Sequence, residues 1–469
     1  MEFKKLFAIL AALLVLALPA QAAQVKFKTV RVHDPSVMRG EDGRWYIYGS
    51  HMQAAWSDDL QDWKMFSKLD KCALQPNYAK EFAEALKWAE TGTFWAPDVI
   101  RLADGRYYMY YCCCEGSKPL AALGVAVSDS PEGPFENVQI LVRSGEPGYD
   151  ATKLPNAIDP CVFFDATGER LWMVYGSYSG GIFLLEIDPA TGLILEGQEP
   201  YGVHLLGGNH SCIEGPYMIY NPDTEYYYLF LSYGGLGVND GYNMRVCRSK
   251  NVEGPYEDAA GNSMLDCACK PGNFWNNDDI APYGTKLMGG CQFVPLEGEN
   301  SAKAAAIRSP GHNSVCYDEQ TGRWFLIHHT RFAATGDRYV VQSRELFFND
   351  YGWPVLAPTR YVTDDRFPAD LDCPVPGTWK LLRHEQDVNT VEHTSVEAAL
   401  AEDGTVSGAM AGSYALDEDG RIALTLDGVE YRGWCKPGYD SDQDAFVATL
   451  TAMSEDGQTL WGVRATGQD

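Results

Sequence analysis

Beyond its first two dozen residues the chain has no long apolar run, and so no later segment that could cross a bilayer as a helix. Positive charge is scarce too: 37 Lys and Arg stand against 64 Asp and Glu, a formal net charge of −27. Such a field repels phosphate backbones and anionic lipid, so neither nucleic acid nor a membrane is an expected partner. Helical periodicity is nearly missing, with Ala79 to Ala89 the convincing exception, and this excludes a helical bundle. No two of the thirteen cysteines make a C-x-x-C pair, which leaves a zinc or iron–sulfur cluster unsupported. Cys112, Cys113 and Cys114 run consecutively in a strand-like segment, where alternate side chains face opposite ways, so the three cannot serve one site. The expectation is buried free thiols with one or two disulfides.

What is present is turn-rich and aromatic. In 469 residues there are 46 Gly and 25 Pro, and Phe, Trp and Tyr make up 12%, a composition suited to many short strands joined by tight turns. Residues 1–23 read as a secretory signal, with Lys4 and Lys5 before the apolar run and Ala20-Gln21-Ala22 behind it; release after Ala22 or Ala23 places the protein in the periplasm or outside the cell.

One phrase recurs along the chain: a polar residue, a turn-prone Pro or Gly, a short apolar strand, a polar turn, then an aromatic strand. Copies begin at Asp34, Ala96, Asp159, Glu214 and His312, at intervals of 62, 63, 55 and 98 residues, the last enlarged by an insertion between about Asp258 and Arg308. A period near 60 suits a four-stranded blade, and five copies predict an all-β, five-bladed β-propeller over residues 24–370. After the Pro-rich stretch from Arg366 to Gly377, alternating segments such as Gly420-Arg-Ile-Ala-Leu-Thr-Leu predict a small antiparallel β-barrel or sandwich, assigned to residues 371–469.

In a propeller the first strands line the central channel, so the five repeat starts should meet on one face. They hold Asp34, Ala96, Asp159, Glu214 and His312. Buried carboxylates are costly unless paired, and three at one repeat phase point to use rather than to packing. With no Lys, Ser–His pair or phosphate loop beside them, they suit glycoside hydrolysis, in which one carboxyl stays protonated for the leaving oxygen and another stays ionised.

At Val32-His-Asp-Pro-Ser-Val, Phe94-Trp-Ala-Pro-Asp-Val, Asn156-Ala-Ile-Asp-Pro, Glu214-Gly-Pro and Gly311-His-Asn-Ser-Val, in that order, the chain resembles the inverting five-bladed glycoside hydrolases of family 43 and, among them, the secreted endo-α-1,5-L-arabinanases. The resemblance implies Asp34 as general base, Glu214 as general acid, and Asp159 as the carboxylate that tunes Glu214 and orients the sugar. It implies Trp95, Asn156 and Ser177 as substrate contacts, and His312 as ligand to an axial calcium held largely through water. The implied substrate is arabinan, cleaved with inversion; the protein is expected to be a monomer. An exo-acting α-L-arabinofuranosidase or β-xylosidase of the same family, and a carbohydrate-binding propeller without hydrolysis, stand as alternatives. The motifs of the related retaining fructosidases are missing. The cysteine triplet departs from the family pattern and is expected to lie clear of the acids.

Overall fold

The computed structural model describes residues 25–466; the secretion signal read at residues 1–23 lies outside them. Five antiparallel blades follow one another along the chain, four of them four-stranded and the fifth extended to six strands by two short ones, Cys291–Gln292 and His393–Thr394, which pair in parallel. Their innermost strands are Ser36–Arg39, Asp98–Arg101, Cys161–Phe164, Ile213–Asn221 and Ile307–Asp318, and each packs against the next around a closed ring. Blades I and V close that ring without exchanging a strand. Arg39 pairs with Asp318 at 2.6 Å, the Ser314 hydroxyl donates to the Pro35 carbonyl at 2.7 Å, and the Val341 N–H donates to the Val30 carbonyl at 3.0 Å.

In blades I to IV the second strand carries apolar and aromatic residues on both faces, because both are covered by neighbouring blades. In Tyr107–Cys114 every residue is buried. Tyr108, Tyr110, Cys112 and Cys114 face blade III, while Tyr107, Met109, Tyr111 and Cys113 face blade I. The cysteine triplet is thus divided between two cores, as strand alternation requires. All thirteen cysteines are free. The expected one or two disulfides are not formed; most of the thiols serve as small apolar fillers, five of them (Cys161, Cys212, Cys247, Cys267 and Cys269) within one core between blades III and IV. The first hairpin turn of a blade needs a residue with positive φ; Gly43, Gly105, Gly168 and Gly322 supply it, and Glu225 does so in blade IV.

The helical stretch forms two short helices, Tyr78–Glu81 and Ala83–Trp88, set against blade II. The segment read as an insertion from Asp258 to Arg308 is only partly one. It contains Thr285–Met288, the outermost strand of blade IV, and Cys291–Gln292, which extends blade V. A long excursion before Thr285 delays that strand and stretches the repeat.

The C-terminal unit is a closed eight-stranded barrel, Gly377–His384 through Thr459–Arg464, rather than a sandwich. Trp379, Leu381, Leu424, Tyr431, Leu450 and Leu460 belong to its core. Leu382, Met453 and Trp461, on the other faces of the same strands, join the core of blades IV and V. Ion pairs from Lys286 to Asp387 at 2.5 Å and from Lys380 to Glu299 at 3.0 Å, with one between Arg308 and Glu392, tie the barrel to the propeller.

Candidate active site

The repeat starts converge as the propeller requires. Asp34, Asp159 and His312 all lie in the left-handed region, with φ of 57°, 56° and 46°, and in the Glu214 unit Gly215 takes that conformation at 58°. Residues other than glycine rarely adopt it, and its repetition at equivalent positions marks backbone held by its surroundings to aim side chains at the axis.

Asp34 is surrounded by donors. Its Oδ1 lies 2.7 Å from His33 Nδ1 and 3.2 Å from His312 Nδ1, and its Oδ2 accepts from the Ser50 hydroxyl at 2.5 Å. Arg331 donates to His33 Nε2 at 3.2 Å, which sets the His33 tautomer and leaves Nδ1 to donate to Asp34. The Asp34 N–H donates to His329 Nδ1 at 3.1 Å. Burial would raise the Asp34 carboxyl, but His33 foremost and then His312 outweigh it and hold the group well below the usual carboxylate range. His312 and His329 are themselves pushed down by burial.

Glu214 has the opposite environment. Its Oε1 accepts from the Tyr242 hydroxyl at 2.5 Å and its Oε2 from the Ser177 hydroxyl at 3.2 Å. Burial, and then the negative charge of Asp34, outweigh those bonds and push it up to about 7. Asp159 accepts from the Gly215 N–H at 3.3 Å and is also raised, by burial first and then by the charges of Glu214 and Asp34. Burial and like charge thus favour the protonated forms of Glu214 and Asp159, while Asp34 remains ionised.

Ser177 therefore holds the acid in place. Asn156 is buried, its Oδ1 accepting from Ser144 at 2.9 Å and its Nδ2 facing Cys114 Sγ at 3.8 Å. The Trp95 N–H donates to the Cys112 carbonyl at 2.9 Å, and the indole lies over Gly116, where an added Cβ would meet it at 3.0 Å. The expectation that the cysteine triplet lies clear of the acids is corrected. Cys112 donates to the Ala96 carbonyl at 3.1 Å and sits against the backbone of Asp159, because strand alternation turns it toward blade III.

His33, His329, Ser50 and Tyr242 were not singled out from sequence. A second ring, two residues beyond the first, was also missed. Asp98 accepts from the Ser36 hydroxyl and from the Val162 N–H at 2.6 Å, joining the inner strands of blades I to III, and burial raises it to about 6. Side chains two apart on a strand share a face, so this ring lies one layer further along the channel.

An ionised carboxylate and a protonated one at the propeller axis, each bonded to a serine hydroxyl that has no histidine ring partner among the described residues, define a glycoside hydrolase site. Comparison with known proteins agrees. Residues 27–279 match the model of glycosyl hydrolases family 43, and residues 358–462 match a C-terminal lipocalin-like domain that accompanies it. The extracellular endo-α-(1→5)-L-arabinanase 2 of Bacillus subtilis is 47% identical over 93% of this chain and 93% of its own. Among solved structures, a family 43 glycoside hydrolase of Bacillus licheniformis superposes with a TM-score of 0.87 at 44% identity, covering 95% of this chain and 100% of that one. The endo-1,5-α-L-arabinanase of Thermotoga petrophila does so with 0.86 at 40%, covering 94% and 100%. The chain belongs to glycoside hydrolase family 43.

Proposed function

We propose that this protein is an exported hydrolase that cleaves internal α-1,5-L-arabinofuranosidic linkages of arabinan with inversion of configuration. What carries the reading is likeness along both domains to proteins named for that activity, the Bacillus subtilis relative among them being named extracellular. Among the described residues no helix is long and apolar enough to cross a membrane.

The reaction is a single displacement. Asp34 accepts a proton from a water molecule as its oxygen bonds to the anomeric carbon. Glu214 donates its proton to the departing glycosidic oxygen as that C–O bond breaks, so the leaving chain departs as an alcohol. Burial and the charge of Asp34 favour the protonated form of Glu214, Ser177 and Tyr242 fix its carboxyl plane, and Asp159 is assigned to tuning Glu214 and orienting the sugar. Trp95 and Asn156, on the loops that enter the innermost strands, are assigned to the bound sugar. Linear arabinan is expected to yield a ladder of oligosaccharides from the first minutes of digestion, with Glu214→Ala yielding none. Chromatography of early products is the check, and arabinose alone would favour the exo-acting alternative.

A calcium ion on the axis is the second part of the proposal. His312 commits Nδ1 to Asp34 and its N–H to Ser232 at 2.7 Å, which leaves Nε2. One imidazole beside a carboxylate already engaged by His33 and Ser50 does not make a dry cage of six to eight oxygens. The donors fit a hydrated cation bound directly through His312. Such an ion would supply positive charge that favours the ionised form of Asp34. Chelation is expected to lower activity severalfold and reduce Tm, with calcium restoring both; unchanged values would leave His312 as a hydrogen-bond donor to Asp34 alone.

A further inference from the structure

Beside the acid, on a surface the mechanism does not use, lies a cluster of exposed aromatic residues. Trp275 is 55% exposed and Phe274 42%, neighbours in sequence within the excursion of blade IV. Trp275 stacks on His210 with ring centroids 4.8 Å apart and planes inclined by 28°; Tyr178 lies 5.5 Å away and Phe274 is 5.4 Å from His210. Tyr178 follows Ser177, which bonds Glu214, and its own N–H donates to the carbonyl of Ile213, the residue before Glu214, at 2.8 Å. The platform therefore begins next to the catalytic acid.

The surrounding chain is strained and braced. Tyr178, Ser179, Asn209, His210 and Trp275 all have positive φ, from 35° to 64°. Five such residues in one patch are expensive, and strain of this kind gathers where a ligand is clamped. The excursion is tied down at its base: the Cys269 N–H donates to Ser211 Oγ at 2.7 Å, Asn209 Nδ2 donates to the Cys269 carbonyl at 2.8 Å, and Lys270 pairs with Asp279 at 3.1 Å. His210 Nδ1 is buried without a partner, and burial pushes the ring's pKa down, so the cluster presents an apolar face. An exposed indole backed by His210 suits the C–H face of a neutral sugar ring.

We infer that Trp275, supported by His210 and flanked by Tyr178, is a stacking subsite for an arabinofuranose residue of the same chain that is cleaved at Glu214, beyond the residues that the carboxylates contact. The inference rests on the arabinan reading. It accounts for an exposed aromatic surface next to the acid that cleavage of a terminal sugar does not need.

Calorimetric titration of arabinohexaose into Glu214→Ala, Glu214→Ala/Trp275→Ala and Glu214→Ala/Trp275→Phe tests it. Loss of the indole is expected to weaken binding about tenfold, with Phe restoring most of the affinity and Tm alike in the three proteins. Equal affinity in the first two would overturn the subsite while leaving the arabinan reading in place. No binding of the hexaose by Glu214→Ala, with the fold intact, would overturn that reading and the subsite with it.

Discussion

Asp34→Ala is expected to lower kcat on linear arabinan by about 10²–10⁴-fold, the range lost with a positioned acid or base. The carboxylate is the one acceptor toward which His33, His312 and Ser50 all turn, and those donors keep it ionised in a buried site. Removing it takes away the group that receives the proton of the attacking water, and it also leaves three buried donors without their acceptor. Asp34→Asn separates the two effects. The amide oxygen can still accept from Ser50, so folding and KM should be largely kept while kcat falls as far as in the Ala variant. Initial rates and melting curves of both variants provide the check, and a kcat within threefold of wild type in Asp34→Asn would remove Asp34 from the role of base.

Glu214→Gln is expected to reduce kcat by a similar factor and, in the opposite sense, to raise stability at alkaline pH. The folded carboxyl titrates at about 7 against an ordinary 4.5. Below pH 4.5 the group is protonated in both folded and unfolded chains and costs nothing extra. Between 4.5 and 7 the unfolded chain gives up its proton while the folded one keeps it, so stability falls as pH rises, and above 7 the loss is complete. Gln carries no charge at any pH. The variant should therefore melt a few degrees above wild type at pH 8, with the gap closing as pH falls toward 4.5. Wild-type activity should decline through the same upper range, as the proton needed by the leaving oxygen is lost. A Tm difference independent of pH would show that Glu214 is not held protonated by its surroundings. Such a gain in stability on losing the acid is the usual cost of an active site carried in reverse.

The propeller could be read from sequence because each blade repeats one hairpin, and the hairpin carries its own turn chemistry. Asp34, Asp159, Glu214 and His312 could be read for the same reason, since strand starts at one repeat phase must meet at the axis. His329 had no such marker. It lies in Arg323–Phe332, the second strand of blade V, and contacts Asp34 only because the innermost strand bulges between Arg308 and Ser314. Tyr242 and Ser50 come from loops whose lengths differ between blades, so no register argument reaches them. Asp98, the first residue of its strand, was hidden because the repeat compares it with Ser36 and Cys161 rather than with another acid. The outermost strand of blade IV was obscured by the excursion before it, the same segment that carries Trp275. Free cysteines and a closed barrel both follow from which strand faces meet, a matter of three-dimensional pairing that spacing along the chain does not fix.

The central claim is that Asp34 activates water directly against the anomeric carbon while Glu214 protonates the leaving oxygen. Proton NMR of linear α-1,5-arabinan in the first minutes of digestion, before mutarotation mixes the anomers, tests it most directly. New reducing ends are expected to form as the β anomer, since one displacement inverts an α linkage. First-formed α anomer would require two displacements and a covalent intermediate, and would contradict it.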